Sequence, residues 1–78
     1  MAYNGPRRKL KLQKACEAID RGVTIEHIPF NAGGRYTNHY LVRDSSGAII
    51  GWTDGNEGSP AFAWSRALGE LQRRKAAS

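Results

Sequence analysis

The sequence predicts an α+β fold of helix, three-stranded antiparallel sheet and helix, both helices packed on one sheet face, in a single domain over 1–78. Three observations predict it. Apolar side chains recur at helical spacing in the first and last thirds, period-two alternation fills the middle, and Asp44-Ser45-Ser46-Gly47 divides that middle into a hairpin. Covering one sheet face with two helices is the simplest way to bury both apolar stripes.

Asn4-Gly5-Pro6 opens the first helix, with Asn4 or Gly5 as cap and Pro6 at the first helical position, where a missing N–H costs nothing. From there to about Arg21, the residues Leu12, Cys16, Ile19 and Val23 fall in one narrow arc of the helical repeat. Arg7, Lys11, Lys14 and Arg21 fall on nearly the opposite side, so one face is core and the other a basic stripe. Gly22 is the stop signal.

"VTIEHIPF" at 23–30 alternates and is rich in β-branched residues, which predicts a strand that Pro29 ends or places at an edge. "NAGG" is a connection. In "RYTNHYLVRD", Tyr36, Asn38, Tyr40 and Val42 share one face, and Thr37, His39, Leu41 and Arg43 share the other. Gly47 suits a left-handed turn position, and "AIIGWTD" forms the third strand. Ser59-Pro60 caps the last helix, whose Ala61, Trp64, Ala67, Leu68 and Leu71 lie on one side to meet the sheet. Phe62, Arg66, Gly69 and Arg73 form a separate stripe, and "RRKAAS" is a fraying end. Flexible ends are expected at 1–5 and 76–78.

Composition bounds the function. A chain of 78 residues with 40% hydrophobic and 24% charged residues is one globular domain, too short for a large internal cleft. No apolar run approaches the ~20 residues of a membrane span, nor does one follow the N-terminal basic residues as in a signal peptide. A cytoplasmic protein is therefore expected. The lone Cys16 excludes an intramolecular disulfide framework and is too few for a structural zinc site; on the core arc, it is expected to be a buried small hydrophobe.

The net charge of +5 is unevenly spread. Arg7, Arg8, Lys9, Lys11 and Lys14 crowd one end, Arg73, Arg74 and Lys75 the other, and the stretch between is acidic overall. A helix N-terminus carries partial positive charge, so three cations at 7–9 sit where the dipole disfavours them. The C-terminal cations sit where it favours them. The first cluster therefore points to a partner with an acidic surface more strongly than the second.

Phe62 lies off the core stripe one turn before Arg66, an aromatic and a guanidinium in the combination that interface centres use; the alternative is packing against a loop. Tyr36 and Tyr40, with Trp52, form either core or an exposed aromatic platform. The loop "TDGNEGSP" would repel an anion through Asp54 and Glu57, so capping is its expected role. His27 and His39 stand outside any metal or catalytic motif, and sharing a ligand would require strand pairing to bring them together. No catalytic, cofactor or metal-binding residue is assigned, and an enzyme is disfavoured.

The order of elements resembles the double-stranded RNA-binding domain over residues 7–73. That family carries a lysine cluster at the start of its last helix to grip phosphates; here the segment reads Ser59-Pro60-Ala61-Phe62-Ala63, so its RNA contacts are not carried over. In size and build, "YLVRDSSGAIIGWTDGNEGSPAFAWSRAL" is similar to the small stand-alone proteins of bacteriophages, including anti-CRISPR proteins. That resemblance implies a non-enzymatic inhibitor or accessory protein in the host cytoplasm, docking on a protein or nucleoprotein complex with an acidic surface. The expected contacts are Phe62 and Arg66 as anchors, with Arg7, Lys11, Lys14, Arg21 and Arg73 as charged groups. The alternative is direct binding of DNA or RNA, with the α-helical basic stripe on phosphates.

Overall fold

A computed structural model describes the backbone of residues 5–32, 35–53 and 59–77, and the side chains of 9–29, 38–53 and 59–77. The elements are α1 (Gly5–Ile19), β1 (Thr24–Ala32), β2 (Arg35–Arg43), β3 (Ile49–Trp52) and α2 (Pro60–Ala77). The sheet is antiparallel in the order β1-β2-β3, and both helices lie on one face of it, as predicted. Ser59 caps α2: its Oγ accepts from the Ala61 N–H at 3.3 Å.

Several boundaries differ from expectation, among them the end of α1, which falls at Ile19 and not at about Arg21. β1 continues through Pro29 to Ala32, because it is an edge strand and an outward N–H there needs no partner. "NAGG" accordingly contributes Asn31 and Ala32 to the strand. The last helix does not fray at Arg73 but runs to Ala77, since Arg74 in its final turns bonds both Glu70 and Asp44.

α2 lies directly on β3 and β2, whereas α1 packs against α2 and reaches the sheet through side chains. Leu12, Cys16 and Ile19 of α1 join Val42, Tyr40, Ile50, Trp64, Ala67 and Leu71 in one apolar cluster. Trp64 is the largest wholly buried side chain. The helices run parallel, since Lys9 and Gln13 line a groove with Pro60 and Trp64, and Ala18 and Ile19 adjoin Leu71 and Arg74.

The close seat of α2 depends on a missing side chain. A Cβ on Gly51 would stand 2.2 Å from the Ala63 carbonyl oxygen and 3.0 Å from the Ala67 Cβ. Beside it the β2–β3 register shifts between Val42 and Arg43, so that consecutive residues Ile50 and Gly51 are both buried. The bulge turns both towards the helices and leaves Ile49 and Trp52 on the outer face. Beyond Trp52 the pairing persists through Thr53, whose N–H donates to the Tyr40 carbonyl at 3.0 Å and whose Oγ1 accepts from the Tyr40 N–H at 2.9 Å.

The β2–β3 turn is held by carboxylates. Asp44 Oδ1 accepts from Ser46 N, Ser46 Oγ and Ala48 N at 2.9, 2.7 and 3.0 Å, and Oδ2 accepts from Arg74 at 2.8 Å. Gly47 takes a φ of 94°, the left-handed position predicted for it. Asp20, just after α1, accepts from the Gly22 and Ser45 N–H groups at 2.9 and 3.0 Å. The Arg74 guanidinium and then the Ser46 hydroxyl hold the Asp44 carboxyl well below its ordinary 3.8, and the Ser45 and Gly22 amides lower Asp20.

Two outcomes follow from these contacts. Gly51→Ala is expected to lose about 2 kcal/mol in chemical denaturation, because the new Cβ would meet helix backbone and a packed methyl group that cannot swing aside. For pH, both carboxyls are lowered in the folded state, so their contribution is complete above 3.8 and drains away as pH falls further towards the native values. Thermal melts should therefore decline steeply below that pH, and Asp44→Asn should flatten the decline while lowering the neutral-pH melting temperature.

Candidate partner-binding surfaces

The basic face of α1 is exposed where it is described. Lys11 and Lys14 point to solvent, and Arg21 does so in the turn after the helix. The described ion pairs are Arg43–Glu26, Arg73–Glu70, Arg74–Asp44 and Arg74–Glu70, so none of these three cations is in one. The first turn of α1 holds no acid to offset the dipole. The Arg7 side chain lies outside the described residues, although its backbone belongs to that turn.

At the other end of the molecule, the C-terminal cations are engaged internally. Arg73 pairs with Glu70, and Arg74 bridges Glu70 and the turn carboxylate. Arg74 holds the end of α2 to the β2–β3 turn, whereas the Arg73 side chain stays 77% exposed in a pair within its own helix. Because the helices run parallel, the cluster and the N-terminal run sit at opposite ends of the helix layer and form no single patch.

The stripe on α2 faces solvent beside the edge strand β3, on the flank away from α1. Phe62 is 42% exposed and stands outside the core cluster. The aromatic that Arg66 covers, however, is Trp52: its guanidinium stands 5.4 Å from the centre of that ring, and its NH1 donates to the Trp52 carbonyl at 2.6 Å. Arg66 thereby caps a carbonyl of the edge strand and is held in place beside Phe62. Helical spacing suggested the Phe62 pairing and missed Trp52, since the bulge that delivers this ring to the edge leaves no mark in period-two alternation.

The three-residue aromatic platform does not assemble. Tyr40 faces the helices and stacks on His27 with ring centres 4.8 Å apart, while Trp52 is on the opposite face; the Tyr36 side chain lies outside the described residues. His27 Nε2 is 2.6 Å from Asn38 Oδ1 at the side of a groove of about 210 Å³ that Lys9, Gln13 and Trp64 also line. His39 pairs with Ile28 one step along, so the two histidines point to opposite faces and share no ligand. Cys16 is wholly buried, with its thiol 3.6 Å from the Trp64 carbonyl. Burial, followed by the Glu17 charge, pushes that thiol up to about 11, so it stays protonated at neutral pH. Asp54 and Glu57, assigned to capping, lie outside the described residues.

Among the described residues these surfaces present charge in two separate places, one of them beside the exposed aromatic rings of Phe62 and Trp52. No helix among the described residues is long and apolar enough to cross a membrane. Comparison of the chain with protein-family models, with curated proteins and with solved structures finds no match.

Proposed function

We propose that the chain is a non-catalytic binding protein, a phage-type inhibitor or accessory protein that docks on an acidic surface of a host protein or nucleoprotein complex. The observation that carries this reading is the α2 flank, where exposed Phe62 stands one turn from an arginine held by a ring and a carbonyl. Aromatic and arginine side chains dominate interface energetics, and an arginine already fixed loses less freedom on binding. Lys11, Lys14 and Arg21 would steer association towards negative charge without making the central contact.

Phe62→Ala tests the anchor. In affinity capture from extracts of the host cell, the variant should lose the partner that the wild type retains, a weakening of more than ~1 kcal/mol. Its melting temperature should stay close to that of the wild type. Capture unchanged by the substitution removes Phe62 from the interface, and a collapse in melting temperature assigns it to the core.

The unpaired cations on α1 favour a second reading, direct contact with nucleic-acid phosphates. Lys11 to Arg21 spans roughly 15 Å, enough to meet a few phosphates. Binding to duplex DNA, single-stranded DNA and double-stranded RNA across a salt series decides it. The reading expects affinity that falls steeply with salt and disappears in Lys11→Glu/Lys14→Glu; absence of binding at low salt eliminates it.

A further inference from the structure

We propose that the sheet face turned away from the helices is a homodimer seam, on which a second copy of this chain packs sheet to sheet. The strand register assigns the side chains of that face. Thr24, Arg43 and Ile49 form one row across the strands, Glu26, Leu41 and Trp52 the next, and Ile28 and His39 a third. Trp52 is 53% exposed, Ile49 49% and Ile28 37%, in a chain that has spent both helices on the other face. An antiparallel sheet with one solvated face ordinarily alternates to polar residues there, whereas this one presents three large apolar side chains around Leu41.

Charge selects the second copy as occupant. The cations Lys9, Lys11, Lys14 and Arg21 are all exposed on or just after α1, so two copies of a +5 chain repel across that side. The outer sheet face carries one carboxylate and one guanidinium among its described residues, Glu26 and Arg43, 3.7 Å apart. The side chains that the register assigns to this face therefore bring no net charge of their own to a contact between two copies.

The pattern is also complementary to itself. On the grid set by the register and the ~4.8 Å strand spacing, a two-fold axis lying in the face and running obliquely to the strands, through Leu41 and between Thr24 and Glu26, brings Glu26 close to the second copy's Arg43. The same rotation sets Ile28 opposite the second copy's Ile49, apolar on apolar. The two intramolecular ion pairs become one four-charge network, and the strands of the two sheets cross steeply, in the orthogonal class of sheet packing. This inference does not rest on the docking reading, although the two surfaces meet at Trp52, whose ring holds Arg66 at the rim of the seam while Phe62 lies outside it.

Sedimentation equilibrium and native mass measurement of the purified chain test the proposal. The wild type is expected at twice 8.6 kDa, and Ile49→Glu is expected to raise the dimer dissociation constant roughly tenfold or more while circular dichroism stays native. Glu26→Arg and Arg43→Glu, each alone, should be monomeric; mixed together they should form a heterodimer, a result that lost folding could not produce. A wild type that stays monomeric, a dimer indifferent to Ile49→Glu, or charge variants that fail to pair when mixed overturns it.

Discussion

The arrangement depends on how closely α2 can approach β3. With no side chain at Gly51, Ala63 and Ala67 rest on the strand itself, and that seat sets everything around it. Trp64 and Leu71 then turn towards α1, which is supported by α2 more than by the sheet. Arg66 lands within reach of the edge carbonyl, and Phe62, one turn earlier, is carried past the rim of the sheet into solvent. The close-packed interior offers no slack at this point, so the placement of the α2 flank is a property of backbone contact and not of side-chain choice.

The charges divide by the same geometry. Arg74 near the end of α2 meets a carboxylate turn brought to it by the β2–β3 hairpin, and the pair Arg74–Asp44 ties the last helix to the sheet while Glu70 steadies the same guanidinium from within the helix. Cations along α1 meet no such turn. They take part in no described ion pair, and the unfavourable end of the helix dipole lies beneath the first of them. One basic cluster is thus part of the architecture, and the other is turned outward.

Much of the fold was legible in the residues. The Ser59-Pro60 start, the Gly47 turn and the alternation from Tyr36 to Arg43 are local signals, and each names its own structure. What escaped were features that arise from pairing. Ile50 and Gly51 share a face only because a bulge forms against Val42, and Trp52 reaches Arg66 only after that shift. Likewise Arg73-Arg74-Lys75 reads as a loose end until Asp44 is brought across thirty positions of sequence to hold it. The outward stripes on both helices were legible, since helical periodicity alone assigns them; their placement on separate flanks required the parallel course of the helices.

That α1 rests on α2 has a consequence for the order in which the chain can acquire its structure. Within this domain α1 is synthesised before α2 and finds its main support there, with all three strands between them. A nascent α1 must wait, its apolar face with Leu12, Cys16 and Ile19 uncovered, until the eighteen residues of α2 have emerged. Hydrophobic closure is therefore a late, long-range event in synthesis, and the hairpin, whose contacts are nearer in sequence, is the part that can form ahead of it.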